Sequence, residues 1–227
     1  TFELVSPSSL IFDSKGYNGF PTATYQKVGE SGHRLYTEVE NIPRLKDEKF
    51  AYFNPRLQRI EYRLDKNLGA GNYQILTWDD AAQRVYEMMY IEVNEKSLKK
   101  WINKMQIDPM LSKLDKARTI ETYLKENIYI QDFSIPEFSD LKYIFNNQVS
   151  GSRGIVKLYC NLFKYFDIEH HVVLTIPRDE IKFDGDFMSW NYLDQYLIYL
   201  PESDLYIDPM QTDYRMGMIT DMLMATE

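Results

Sequence analysis

The feature that most constrains this chain is a short segment in which nearly every residue is apolar or aromatic. It runs from Ile155 to Phe166, and its polar residues Lys157, Asn161 and Lys164 recur at helical spacing as one narrow stripe. A helix with so little polar surface has to be covered by protein on almost all sides. The sequence therefore predicts a buried helix around which the rest of the fold is organised.

Small, flexible residues precede this helix, and short apolar strands follow it. Residues 150–154 read Ser-Gly-Ser-Arg-Gly, and Asp167 is expected to end the helix. Apolar runs closed by proline or turn residues predict strands at three places. These are residues 171–176, 192–200 and 205–207. A flexible loop that leads into a buried helix backed by strands is an arrangement that can host nucleophilic chemistry.

This order of elements and its local motifs resemble the core of the bacterial transglutaminase-like family, relatives of the papain-type fold. In multidomain bacterial members the loop before the helix reads roughly G-D-C-K-D, with Cys as nucleophile, and the last strand ends in L-D-P-T. Here the loop reads Ser150-Gly151-Ser152-Arg153-Gly154, and the last strand leads into Asp208-Pro209. The resemblance puts Ser152 at the Cys position and Asp208 at the Asp position. It puts Gln195 at the His position, or Tyr192 if the intervening loop is shorter.

The resemblance covers the chain from about Thr77 onward and implies an α+β fold of papain/transglutaminase type. In that fold a helical layer with the buried helix packs on an antiparallel sheet. Residues 1–75 are predicted to be a β-rich segment, the end of an N-terminal β-domain or an extension, because 33–40 and 57–64 alternate as strands do. The expected domains are therefore 1–75 and a transglutaminase-like core over 76–227.

Four further helices are predicted inside the core. Thr77 is expected to cap one that reaches about Asn94, and Ser112 to cap another whose buried face carries Leu114, Ala117, Ile120, Leu124 and Ile128. The other two are expected over 97–105 and 140–147, with a loop over 129–136 between them and the buried helix. The methionine-rich end of the chain looks like a helix inside which the sequence stops, so another β-rich domain is expected after Glu227.

The residues at the family's catalytic positions predict an inactive domain. A serine hydroxyl is much harder to ionise than a thiol, and the helix dipole, worth at most ~2 kcal/mol, cannot close that gap. Gln195 cannot take up a proton, and Gly154 stands where the family carries an acidic residue. Ser152 is expected to be the helix N-cap, and Asp208 to accept a hydrogen bond from the Gln195 amide. The candidates for lining a retained groove are Arg153, Tyr192 and Trp190.

The predicted function is a catalytically inactive binding or scaffolding module of an exported bacterial protein, periplasmic or at the cell surface, with a signal sequence before Thr1. A protein, peptide or glycan ligand is expected. Two alternatives stay open: an active acyltransferase or peptidase-type enzyme that uses Ser152, and a purely structural spacer. A net charge of −8 disfavours nucleic acid, and no apolar run is long enough to span a membrane.

No cofactor or metal is expected from the sequence. Zinc and calcium ligand spacings and a phosphate-binding glycine loop are absent. His170 and His171 begin a strand, where neighbouring side chains face opposite ways, so one is expected to point to solvent and the other to the helix layer. Cys160 falls inside the buried helix and is predicted to be a small core residue.

Overall fold

The computed structural model describes residues 1–46, 49, 51–71, 76–90, 95–133 and 135–224. In these residues five α-helices accompany ten strands, and five of the six strand pairings are antiparallel, so the fold is of the expected α+β class. The chain divides into two compact units. Among the described residues, the first unit combines 1–81 with 176–192, and the second combines 82–175 with 193–224.

The first unit is built mainly from strands. They are β1 (Phe2–Pro7), β2 (Leu10–Tyr17), β3 (Thr24–Val28), β4 (Gly32–Thr37) and β5 (Arg59–Asn67). One antiparallel sheet has the order β1-β4-β3, and β2 pairs with β5. The strands predicted over 33–40 and 57–64 are thus present as β4 and β5 with shifted ends. The domain boundary predicted after residue 75 lies next to residues 72–75, which are outside the described residues.

Residues 176–192 belong to the strand unit, although the sequence predicts 76–227 as one core. Their contacts give the physical reason. Asp184 pairs with Lys15 and accepts a hydrogen bond of 2.7 Å from the Tyr17 hydroxyl. The Tyr192 hydroxyl donates to a carboxylate oxygen of Glu61 at 2.6 Å. These partners are more than a hundred residues apart in sequence, and therefore no local pattern reveals them.

The second unit holds most of the helices and the larger core. The helices are α1 (Trp78–Met89), which begins in the first unit, α2 (Glu95–Met105), α3 (Lys113–Asn127), α4 (Leu141–Asn147) and α5 (Ser152–Tyr165). The predicted caps are present, because the Thr77 and Ser112 hydroxyls accept the backbone N–H groups of Asp80 and Asp115. The predicted end of α1 near Asn94 lies outside the described residues.

Helix α5 is the predicted buried helix, and it begins at Ser152 rather than at Ile155. Nine of its residues are buried, which confirms that it lies at the centre of the larger core. Its polar stripe is accommodated within that core at Asn161, whose side-chain amide donates to the carbonyl oxygens of Met89 at 3.0 Å and Lys157 at 2.7 Å. The polar stripe therefore joins α5 to the end of α1.

The strands of the second unit form two small sheets. They are β6 (Tyr129–Ile130), β7 (Val149–Ser150), β8 (His171–Thr175), β9 (Gln195–Leu200) and β10 (Leu205–Ile207). An antiparallel sheet has the order β10-β9-β8, while β6 and β7 pair in parallel. The three predicted strands are confirmed, but β9 begins three residues later than predicted because Trp190–Tyr192 form a 3-10 turn.

Two local predictions are wrong. The loop predicted over 129–136 contains β6 and the start of a 3-10 turn, Pro136–Ser139. The described part of the chain end contains a short 3-10 turn, Asp221–Leu223, in place of the expected helix. Gly217, with φ of 91°, has a left-handed backbone conformation that an α-helix cannot continue through.

Candidate functional site

The N-terminus of α5 positions Ser152, the residue at the predicted nucleophile position. Gly151 is the N-cap, in an extended conformation, and the N–H of Ile155 donates to its carbonyl oxygen at 3.1 Å. The prediction that Ser152 is the cap is therefore wrong by one residue. Ser152 is the first helical residue and is partly exposed, and its hydroxyl has no hydrogen-bond partner among the described residues.

Ser152 and Arg153 lie together beside a small cavity of about 20 Å³. The other residues that line it are Gln131, Asp132, Phe133, Ile135, Phe138, Ser139 and Gly151. Gln195 and Asp208 are not among them. Space of this size admits about one water molecule, so the described cavity holds no acyl or amide substrate.

Gln195 and Asp208 are engaged with their own neighbours. The Gln195 amide donates to Asp194 Oδ2 at 2.9 Å. Asp208 is buried, and its Oδ1 accepts the backbone N–H groups of Met210 and Gln211 at 3.1 and 3.3 Å, while Oδ2 has no partner in the described part of the chain. The hydrogen bond predicted between Gln195 and Asp208 is therefore not formed. Burial raises the pKa of Asp208 above its usual range, against the lowering effect of these backbone donors.

The other two groove candidates, Tyr192 and Trp190, lie in the 3-10 turn of the first unit. Tyr192 has no exposed surface, and its ring packs against Phe183. Trp190 is 42% exposed. Their roles in ligand binding stay predictions, as does the choice between Gln195 and Tyr192 for the His position.

The imidazoles of the second unit lie near the other end of α5. His170 packs edge-on against Phe163, which is eleven residues beyond Ser152, or about 16 Å along a helix that rises about 1.5 Å per residue. Its Nδ1 lies 2.8 Å from the Ile168 carbonyl oxygen, which can only accept, so Nδ1 carries the proton. Nε2 then accepts a hydrogen bond from the Tyr90 hydroxyl at 2.7 Å. His170 faces the helix layer and His171 is exposed, as predicted.

Cys160 lies at the centre of α5 and is fully buried. The Tyr90 hydroxyl, which is hydrogen-bonded to His170 Nε2, acts to lower the pKa of the thiol, but burial has the larger effect. Burial raises the pKa of the Cys160 thiol to about 12, so the thiol is protonated at neutral pH. The prediction that Cys160 is a core residue is confirmed. Sequence spacing could not reveal that Tyr90 interacts with both Cys160 and His170.

A buried ion pair was not predicted from the sequence. Lys125 Nζ lies 2.9 Å from Glu121 Oε1, and each side chain is only 2% exposed. Lys125 also donates to the Tyr214 carbonyl oxygen at 2.7 Å, and Glu121 accepts the Met216 N–H at 2.9 Å. The only sequence signal for this ion pair was the i,i+4 spacing of Glu121 and Lys125, directly beside the apolar stripe of α3.

A larger groove of about 530 Å³ opens beside the end of α3 and strand β6. It is lined by residues 125–130, Asp132, Gln148, Met210 and Thr212. Asp132 also lines the small cavity at Ser152, so it is common to both spaces. This groove is of ligand size, and its lining residue Gln148 lies four residues before Ser152 in the sequence.

The described residues contain no group of three or more His, Cys, Asp and Glu side chains arranged to hold a metal ion. None of their helices is both long enough and apolar enough to cross a membrane.

No protein-family model matches this chain, and no curated protein matches it in sequence. Among solved structures, it is similar to the crystal structure of a candidate protease from Parabacteroides distasonis, with a TM-score of 0.65 and 12% identical residues. The match covers 90% of this chain and 39% of that one, so this chain spans well under half of its structural neighbour. At this identity the similarity shows a shared fold and nothing of the activity.

Proposed function

We propose that this chain is a catalytically inactive transglutaminase-like domain that binds a ligand. The observation that carries the proposal is the environment of Ser152. Its hydroxyl has no hydrogen-bond partner among the described residues, and the imidazoles of its unit lie near the far end of α5. A serine becomes a nucleophile only when a base lies within hydrogen-bonding reach of it.

The family assignment rests on the resemblance of the 150–154 loop, the buried helix and the Asp208-Pro209 turn. Two observations support it. Helix α5 is enclosed by the core as that fold requires. The structural neighbour is described as a candidate protease, which is compatible with a papain-type relative. The placement in the envelope of a bacterium rests on the resemblance alone.

The proposal is tested with a panel of acyl, amide and peptide substrates. Wild type and Ser152→Ala are compared side by side, and neither is expected to turn over any substrate. Both imidazoles of the unit lie near the far end of α5, and His170 Nε2 already accepts a hydrogen bond from Tyr90. Turnover by wild type that disappears in Ser152→Ala would overturn the proposal in favour of a serine enzyme.

A second experiment tests the alignment with the family. The thiol introduced by Ser152→Cys should titrate below the ordinary cysteine pKa, because it lies at a helix N-terminus. If residue 195 occupies the His position, adding Gln195→His should lower that pKa further, whereas adding Gln211→His at an exposed position should not. Iodoacetamide alkylation measured against pH reads the shift. The native thiol of Cys160 is buried and gives no background. Equal pKa values with and without Gln195→His would reject residue 195.

A further inference from the structure

Strand β6 has one open edge. It pairs only with β7 in the described part of the chain, through bonds of 2.8 Å from Tyr129 N–H to the Gln148 carbonyl and from Gln131 N–H to the Ser150 carbonyl. Backbone groups alternate sides along a strand, so the N–H and C=O of Ile130, between these two donors, face away from β7. Such an edge is a template for pairing with another extended segment.

The groove of about 530 Å³ lies along this strand, since Tyr129 and Ile130 form part of its wall. The Ile130 side chain packs against the core and fixes the strand, while Tyr129 is 66% exposed and offers an aromatic surface. Met210 and Thr212 also line the groove. The groove therefore combines a backbone edge with side-chain walls, as strand-addition sites do.

The charge of the groove selects among extended ligands. Glu126 and Asp132 line it, are exposed, and have neither an ion pair nor a hydrogen bond with any described residue. Lys125, the cation of the lining, is already paired with buried Glu121. Two unpaired carboxylates thus remain to attract a positive group, which a neutral glycan does not carry.

We infer that the open edge of β6 binds an extended peptide by strand addition, with a lysine or arginine side chain placed between Glu126 and Asp132. The inference rests on the proposed binding function and names the ligand class. The peptide backbone pairs with Ile130, and its alternate side chains face the groove walls.

The test uses a fluorescein-labelled, capped heptapeptide of alternating valine and threonine with lysine at its centre, and fluorescence polarisation. A matched peptide has glutamate in place of lysine, and another is N-methylated at alternate amides so that it cannot pair along one edge. Saturable binding of the lysine peptide is expected, with affinity at least about tenfold lower for each of the others. The Ile130 amide should gain protection from hydrogen exchange when the peptide is bound.

The protein variants test the charge. The double variant Glu126→Gln with Asp132→Asn should bind the lysine peptide about tenfold more weakly, and this binding should depend less on salt. Glu169→Gln, an exposed acid near the other end of α5, is the matched control and should change neither quantity. Any of three results would overturn the inference. These are a lack of saturable binding of the lysine peptide, equal binding of the N-methylated peptide, and binding of a labelled N-acetylglucosamine oligomer instead of the lysine peptide. None of these three results bears on the proposal that the chain is catalytically inactive. Conversely, turnover by wild type that is lost in Ser152→Ala would refute the proposed inactivity and not the peptide-binding inference.

Discussion

Replacing Lys125 by methionine tests how the C-terminal segment is held to the second unit. The Lys125 ammonium pairs with Glu121 at 2.9 Å and donates to the Tyr214 carbonyl at 2.7 Å. Methionine keeps most of the volume of the lysine stem but removes all of these bonds. Glu121 is then left as a buried carboxylate with the Met216 N–H as its remaining donor.

The size of the expected loss in unfolding free energy follows from the burial of this ion pair. Each side chain of the pair is 2% exposed, so water does not replace the lost partner. Removing one member of a buried ion pair typically costs about 3–5 kcal/mol, because the other charge stays uncompensated. The orphaned Tyr214 carbonyl is part of that cost. We expect Lys125→Met to lower the free energy of unfolding by this amount.

Urea unfolding followed by the fluorescence of Trp101, which is buried in the same unit, measures the change. The double variant Glu121→Gln with Lys125→Met removes both charges and should recover more than half of the loss. Lys99→Met breaks an exposed i,i+4 pair of 3.0 Å in α2 and should leave the midpoint unchanged. A loss below about 1 kcal/mol in Lys125→Met would refute the reasoning, because that is the range of surface pairs.

Three further predictions concern α5 and the turn after β10. Gly154→Ala should lower the unfolding free energy by about 1–3 kcal/mol, because a Cβ at this position overlaps the Phe138 carbonyl oxygen. Gly151→Ala is the control and should lower it much less, because a Cβ there has ordinary contacts of 3.5 Å or more. Urea unfolding compares the two variants. Cys160 should react with iodoacetamide only as fast as the chain opens, and fast labelling under native conditions would contradict its burial and its pKa of about 12. Burial raises the pKa of Asp208, so the folded chain binds a proton on this carboxyl more tightly than the unfolded chain does. The stability of the fold should therefore decrease as the pH rises from 3.8 through the pKa of Asp208 in the folded chain. Asp208→Asn should flatten that slope, and an unchanged slope in thermal unfolding would assign it to other groups.

Most of the helices could be predicted because their signals are local. The spacing of apolar residues in α3 and α5, and the caps at Thr77 and Ser112, are readable within a few residues. The 176–192 segment could not be assigned in the same way. Its position depends on polar bonds such as Asp184 with Tyr17, between residues that are far apart in the chain.

The candidate site was predictable to a lesser extent. Sequence order placed Ser152 at the start of α5, but the cap was missed by one residue, a difference that depends on a single backbone bond from Ile155. The Gln195 amide was expected to reach Asp208, and it donates to the adjacent Asp194 instead. Which of two nearby carboxylates an amide contacts depends on side-chain torsions, and spacing carries no information on these.

The three departures from the family pattern differ physically. Ser152 is partly exposed, so a thiol fits its position, and the half-buried Gln195 side chain donates a hydrogen bond to the adjacent Asp194. Gly154 is different, because the Phe138 carbonyl oxygen, Ser150 Oγ and Ile144 Cδ1 occupy the space of any side chain. The acidic residue that the family carries at this position would require the 3-10 turn at Phe138 to move away from α5. The packing around Gly154 therefore supports the proposed inactivity, in addition to the missing thiol and imidazole. Restoring those two groups alone should not restore the full constellation.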